Sequence, residues 1–434
     1  MILIYTPQLS SRIAYTFNLV FTEVLGIDYK VISDAGTFTA NNGVRLNYSR
    51  YEFEHVININ PSGILTQTGV LNWNILPGKW EELPVIFANN LQQIPFDLFS
   101  AVFYIVTRYE EYLPHSPDQY GRFKAEDSLS YKYGFLRIPI VDLWCKKFAK
   151  KNSIISQCKN IQVDNYRFRL TIDIDQPWLF KNKGLIYAAG SLIRELIHLN
   201  FAQFADRFKV LAGLWHDPSD TYEILSNIQT KLHSPVHYFI LCQRSGEYDK
   251  NRSVGRKAFH NLIRMLDRLE TVGIHPSYLS NESEYELKRE IDYLTGIVAR
   301  RINNSRQHFL RIELPDIYRS LIKYGISEDY SMSYSSQTGF RAGIARAFNF
   351  FDLINDEETK LRVVPFQIMD RTLLSYMQLS TEEAIKEFEY YSEVIRNVGG
   401  EFICLWHNES INDRGEWKGW AKVFFQMIEM NSIV

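Results

Sequence analysis

No two cysteines in this chain stand close enough to form a CxxC pair; the four lie at 145, 158, 242 and 404. That excludes a zinc knuckle readable from spacing. Cysteines this sparse in 434 residues point to reduced thiols, not a disulfide framework. Long hydrophobic runs are also missing. The longest, such as FDLFSAVFYIV, stop well short of the ~20 residues that a membrane span needs. The opening MILIYTPQLSSR has no basic region ahead of its short apolar run, so it reads as a first strand and not as a signal peptide. The expectation is a soluble, cytoplasmic protein. Excess charge of either sign is lacking too: the formal net charge is −2, which gives no bulk attraction to nucleic acid or anionic lipid. Internal repeats and low-complexity runs are absent.

What is present is an ordinary globular balance, 46% hydrophobic and 23% charged, over a length that allows two or three domains. Aromatics are plentiful, as large cores or sugar-stacking surfaces require. The clearest compositional break is KKFAKKNSIISQCKNIQVDNY, residues 146–166, which divides the chain into 1–160 and 161–434. The first part mixes short strands (ILIY, YKVI, HVININP) with helices. In PFDLFSAVFYIVTRYEEYL, Leu98, Val102, Ile105 and Tyr109 recur on one helical face, and RYEE reads as its solvated side.

The second part has a regular rhythm. Strand-like runs end at LTIDID, VHYFIL, VGIHPSY, RQHFLRI, GISEDYSM, VVPFQIMD and EFICLWH, with helical segments between them. YELKREIDYLTGIV is one such helix; LPDIYRSLIKYG opens with Pro315 and closes with Gly325. STEEAIKEFEYYSEVIRNVGG starts with a capping box, Ser380 to Glu383, and stops at Gly399–Gly400. Strand then helix, seven times, predicts a parallel α/β arrangement. A closed barrel fits better than an open doubly wound sheet, because polar residues gather at many strand ends and not at one switch point.

Those ends carry Asp173 and Asp175, His275, Arg306 and His308, Asp329, Asp370 and His407. Side chains two apart on a strand share a face. Asp173 and Asp175 therefore point together, as do Arg306 and His308. Carboxylate and imidazole at a strand mouth suit zinc and its neighbours. A second Asp could take a proton from water there, and a His opposite could protonate a leaving group. His216, His233 and His237 carry no such pattern.

From Arg167 to the C-terminus the chain resembles the polysaccharide deacetylase family, carbohydrate esterase family 4, through TIDID, GIHPSY, SRQHFLR, MDRTL and CLWHN in that order. The segments PFDLFSAVFYIVTRYEEYLPH and GRFKAEDSL look like a companion domain found on a bacterial branch of that family. The resemblance implies an α/β fold: a distorted, seven-stranded (β/α) barrel preceded by a smaller α/β domain. It implies a divalent metal, zinc first, with cobalt, nickel or manganese as alternatives, and removal of acetyl groups from an N-acetylated glycan or sugar precursor. Carried over by position, Asp173 is the base and Asp175 a metal ligand, although an Ile separates aspartates that are adjacent in many members. His275 matches the first metal-binding His of the second motif, but Leu279 stands where the other belongs. His308 is the substitute, with Ser277, Ser280 or water as lesser candidates. Arg306 steadies the base, His407 is the general acid, and Asp370 orients it. Arg341, Tyr278 and Trp406 are expected substrate contacts.

Rival readings remain open. DID after an apolar strand is also the pattern of DxD sugar-nucleotide transferases, which leaves the histidines idle. A haloacid-dehalogenase phosphatase would want Thr or Val where Pro177 stands. A degenerate barrel that only binds glycan is the non-enzymatic alternative.

Overall fold

The computed structural model describes residues 1–89, 94–154, 165–232, 235–269 and 271–432. The expected boundary between 160 and 161 lies outside them, as do Cys158 and His233. Near the N-terminus is a small parallel sheet of β1 (Ile2–Tyr5), β2 (Tyr29–Ile32), β3 (Arg45–Tyr48) and β4 (Ile57–Ile59), in the order β2-β1-β3-β4. Strands β5 (Pro77–Trp80) and β6 (Leu83–Ile86) form a separate hairpin. The expected helix spans Leu98–Val106 and is capped by the Asp97 carboxylate, which accepts from the Ser100 amide. It is apolar around its whole circumference, and every residue in it is buried.

RYEE is not a solvated side. Arg108 turns out of the helix at φ 55°, and Arg108, Glu110 and Glu111 are all buried. Arg108 pairs with Glu110 at 2.8 Å and Glu111 at 2.7 Å, and Glu111 also grips Arg341 at 2.7 Å. The first segment is thus bolted to the second by charge. Asp142 does the same for Arg346 at 2.8 Å.

The main sheet has nine strands: β7 (Arg167–Ile174), β8 (His237–Leu241), β9 (Thr271–His275), β10 (Asn304–Ser305), β11 (Glu328–Asp329), β12 (Phe348–Asp352), β13 (Glu357–Val363), β14 (Ile368–Met369) and β15 (Glu401–His407). Their order is β12-β13-β11-β10-β9-β8-β7-β15-β14, and only the β12–β13 pairing is antiparallel. A closed seven-stranded barrel is therefore corrected to an open ladder. β13 and β14 lie near opposite ends of the ladder, yet only residues 364–367 join them. That link spans at most about 18 Å, so the sheet must curl until its ends approach. The link contains Pro365, which has no amide to donate to a ladder. Gln367 instead donates its amide to the Ile403 carbonyl and accepts from the Ile403 amide through its side chain. The strand–helix alternation also fails at three connections in a row, β11–β12, β12–β13 and β13–β14, where the β12–β13 hairpin takes the place of crossover helices.

Period-2 alternation sorts the parallel strands into an outer and an inner layer. Phe168, Leu170, Ile172 and Ile174 of β7, and Phe402, Cys404 and Trp406 of β15, join the large core beneath the helices. Phe239, Ile403 and Leu405 join a second cluster inside the curl, with Tyr330, Phe366 and Met369. Gly273 on β9 lets the short β10 approach; a Cβ there would sit 2.7 Å from the Asn304 carbonyl oxygen. Among the described residues no helix is long and apolar enough to cross a membrane.

The Glu111 junction gives a stability prediction. Burial opposes its charge, but Arg341 and Arg108 hold its pKa down at about 2. Glu111→Ala leaves the buried Arg341 guanidinium without its carboxylate and Arg108 with Glu110 alone, and should cost about 3–5 kcal/mol in denaturant unfolding. A depressed carboxylate contributes its stability above the unfolded value and loses it as pH falls toward the folded one. Wild type should therefore lose this increment between about pH 4.5 and 2, and Glu111→Gln should not. Equal stability of wild type and Glu111→Ala at pH 7 counts against the junction.

Candidate metal centre

The polar residues of the inner layer end at one rim. Strand pairing sets Asp173 beside His407 on one side and beside Phe239 on the other, and places His275 across from Leu241. Asp175 follows β7 by one residue. β10 ends earlier than expected, at Ser305, and His308–Leu310 is a 3-10 turn. Arg306 still donates its amide to the Ile274 carbonyl and His308 to that of Pro276, so the path along β9 continues. Both side chains reach the rim. Phe309 and Leu310 then take left-handed φ values of 61° and 55°, a strained turn of the kind held in place at functional sites.

Asp175, His275 and His308 form a group whose ligand-type atoms all lie within 4.8 Å of one another. The proton positions follow from their partners. His275 Nδ1 lies 2.5 Å from the Arg306 carbonyl oxygen, and His308 Nδ1 lies 2.7 Å from Asp249 Oδ1. A carbonyl and a carboxylate can only accept, so each Nδ1 carries the hydrogen. Each Nε2 then turns a lone pair inward: His275 at 3.3 Å from Asp175 Oδ1, His308 at 3.5 Å from Asp175 Oδ2. Asp175 Oδ1 is buried and has no hydrogen-bond partner. Acceptors facing acceptors need a cation between them, and these residues fit a divalent metal. Without one, protons stand in. His308 is pushed up to about 10: burial opposes its charge, but Asp175 and Asp249 outweigh it. Burial would raise the Asp175 carboxyl, yet His308 and His275 hold it well below the usual range.

Two dyads adjoin the group. Arg306, fully buried, donates Nη1 to Asp173 Oδ1 at 2.9 Å and to Thr171 Oγ1 at 2.8 Å, and Nε to the Tyr330 carbonyl at 3.0 Å. Its guanidinium lies over the rings of Phe239 and Phe366. On the other side, His407 Nδ1 lies 2.8 Å from Asp370 Oδ1, and Asp370 Oδ2 accepts from the His407 amide at 2.8 Å. Ser410 also donates to Asp370. Burial disfavours the imidazolium, but Asp370, Asp175 and Asp173 carry its pKa up to about 9.

Asp173, Asp175, His275, His308 and His407 line one cavity of about 450 Å³, and Arg306 stands behind Asp173. The other sequence-derived sites fall elsewhere. Ser277 is committed to Glu290 and Ser280 to the Ser277 carbonyl, so neither turns toward the group. Asp329 binds the hydroxyls of Ser305, Ser331 and Tyr318. Trp406 faces the opposite way from Leu405 and His407, into Phe388, Trp420 and Phe424; strand alternation makes it core and not a substrate contact. Arg341 is buried against Glu111 and the Ser333 carbonyl, and only a neighbouring cavity reaches it. Tyr278 packs on Tyr248 and Phe309 and does not line the cavity.

Sequence reasoning missed Asp249, from the loop after β8, because nothing in EYDKN marks it. It also missed Gln119, Tyr120 and Arg122, which bring the first segment into the cavity wall. Arg122 donates to the Phe309 carbonyl and to Tyr376, and Tyr120 packs on Phe309 at 4.9 Å.

Comparisons with known proteins add the following. Residues 2–153 match the model of a family of unknown function, DUF7033. No curated protein matches the chain. Solved structures similar to it include one described as a polysaccharide deacetylase from Mycobacterium smegmatis, at 13% identity and TM-score 0.41 over 63% of this chain and 86% of that one. Another, from Pseudomonas aeruginosa PAO1, has 8% identity and TM-score 0.40 over 62% and 85%. A third, a polysaccharide deacetylase from Bacillus cereus, has 9% identity and TM-score 0.29 over 61% and 85%.

The ligand geometry predicts metal content. Asp175→Ala, His275→Ala and His308→Ala should each lower bound metal sharply, measured by elemental analysis of purified folded protein. Asp249→Ala should weaken binding about 10–100-fold through the loss of His308 orientation, while Ser277→Ala and Ser280→Ala leave it intact. Full stoichiometry in His308→Ala would remove that residue from the ligand set.

Proposed function

We propose that this chain is a metal-dependent hydrolase that removes an acetyl group from an N-acetylated sugar in a surface-glycan precursor. The observation that carries the reading is that two different dyads open on the cavity that holds one lone-pair cluster. Asp173 is paired with the Arg306 guanidinium. His407 with Asp370 is an imidazole kept protonated. A base and an acid that reach a single reacting centre are what acyl transfer to water requires.

Asp175, His275 and His308 would hold the cation. When bound, a divalent ion polarises the acetyl carbonyl and offsets the negative charge that builds on its oxygen. Zinc suits two imidazoles and one carboxylate, with cobalt, nickel or manganese compatible with the same donors. Asp173 accepts the proton of the attacking water, and the Arg306 hydrogen bond fixes that carboxylate in place at the cavity. The water oxygen bonds to the acetyl carbon. His407 Nε2 gives its proton to the sugar nitrogen as the C–N bond breaks, leaving acetate and a free amine. Asp370, on Nδ1, keeps the ring charged and oriented throughout. The cavity is large enough for a sugar residue. A DxD transferase would leave three converged histidines without a task, which disfavours that rival.

Loss of a general acid or base typically lowers a rate about 10²–10⁴-fold. Asp173→Asn and His407→Ala should keep their metal yet lose turnover on this scale, scored as acetate released from an N-acetylated chito-oligosaccharide. The pH–rate profile should lose its alkaline limb in His407→Ala, because the pKa of that imidazole is carried up to about 9. Acetate release within a few-fold of wild type in both variants rejects these roles. A wild-type protein that binds metal and glycan without releasing acetate is the degenerate barrel instead.

A further inference from the structure

Between β7 and β8 the chain makes an excursion of two antiparallel helices, Leu185–Ile197 and Phe201–Leu211, that turns the usual rule of burial around. Leu185 and Ile186 are 91% and 92% exposed, and Ile197 and Leu199 70% and 71%. Ile193, Leu196, Phe201, Phe208 and Leu214 extend the same exposed surface. Inside the pair the contacts are polar: Glu195 and Arg207 meet at 2.7 Å, both buried. The apolar side chains are outside and an ion pair is inside. A patch of this size on a folded chain marks an interaction surface.

The charge around the patch selects the partner. Residues 181–216 hold five lysines and arginines against two acids, in a chain whose formal net charge is −2. Glu195 and Arg207 neutralise each other inside and Lys183 is buried on Gln176, so Lys181, Arg194 and Lys209 stand against Asp206 alone. Arg252 lies over the Tyr187 ring, and Lys209 and Arg414 both lie over the Trp215 ring. Aliphatic anchors, a tryptophan and a basic fringe on an amphipathic helix pair are the makings of a membrane-surface element.

The pair is also fixed to the cavity rim. Asp217 accepts from the amides of Leu179, Phe180 and Lys181 on the way out and of Ser219 on the way back. Lys183 donates to the Gln176 side chain, one residue from Asp175. Asn408, next to His407, donates to the carbonyls of Gln176 and Ser219. A patch held this way moves with the catalytic end of the sheet.

We propose that the helix pair 185–211, with Trp215, docks this protein on an anionic lipid bilayer surface. Docking brings the cavity rim to the membrane, and, if the hydrolase reading holds, that placement suits a glycan carried on a lipid. Vesicle binding is scored without turnover, so the two readings fail on separate measurements.

The test is co-sedimentation of the full chain with vesicles of phosphatidylglycerol and phosphatidylcholine in equal parts, and with phosphatidylcholine alone. Wild type should bind the anionic vesicles at least tenfold more tightly and lose binding as salt rises from 0.05 to 0.5 M. Leu185→Glu combined with Ile186→Glu should weaken anionic-vesicle binding at least tenfold, with thermal unfolding and acetate release unchanged. Ile197→Glu combined with Leu199→Glu is the second pair, which keeps the test intact if the first misfolds. Failure of wild type to bind, or equal binding by wild type and variants, overturns the proposal. So does a wild-type dimer in light scattering that the same substitutions turn into monomer without any vesicle binding, since a second copy then covers the patch.

Discussion

His275 gives its Nδ1 proton to the Arg306 carbonyl, and His308 gives its own to Asp249. Everything at the rim depends on those two donations. They fix both tautomers, and so leave two bare Nε2 atoms facing a carboxylate that has a buried oxygen without a partner. Reverse either donation and a ring N–H points inward, satisfies Asp175, and removes the need for a cation. The donation by His275 also couples the cluster to Arg306, whose carbonyl orients His275 while its guanidinium holds Asp173. One residue thus sets the orientation of both side chains together.

Parallel packing explains why the cluster forms at this end. Strands that all run the same way deliver their last residues to one rim, and Asp173, Asp175, His275, Asp370 and His407 are all at or just past strand ends. The interior beneath them joins an apolar cluster to a few buried polar groups, among them Thr171, His237 and Arg306, and the Arg306 charge is met by Asp173, by hydrogen-bond acceptors and by aromatic faces. In such low-dielectric surroundings each charge is strongly felt by its neighbours, and this is why Asp370 can keep His407 protonated against the cost of burial. The first segment completes the wall through Tyr120 and Arg122, and it is held in position by buried pairs such as Glu111 with Arg341. The site is therefore built by the whole chain and not by the nine-stranded sheet alone.

The helix pair after β7 follows a different logic. Its sequence is amphipathic like any surface helix, but the stripe that would normally meet a core is left outside. The anchor at Asp217 makes that arrangement rigid, so the exposure belongs to the fold and not to a loose excursion.

The sequence by itself determined the periodic features. Alternation on β7 and β15 was readable as a lone pattern of residues, and so were the helix spanning Glu284–Val298, the capping box at Ser380 and the polar strand ends; these depend on local period and need no partner. Asp173 beside Asp175 followed from the same arithmetic, whereas β10 ends at Ser305 and a 3-10 turn, not strand alternation, places His308. Tertiary structure decided what depends on who the neighbour is. RYEE has the composition of a solvated face and is buried because Arg341 arrives from more than 200 residues away to balance it. Arg341 was expected at the substrate for the same reason in reverse. Trp406 was assigned to substrate although strand alternation, with His407 facing inward, already turned it to the core. Asp249 had no signal, because a hydrogen bond across 59 residues leaves no local trace. The curl of the sheet was likewise out of reach: the expected closed barrel is an open nine-stranded ladder, and a proline-bearing link of four residues, not a further strand, holds β13 and β14 near each other along a path that only the three-dimensional structure shows.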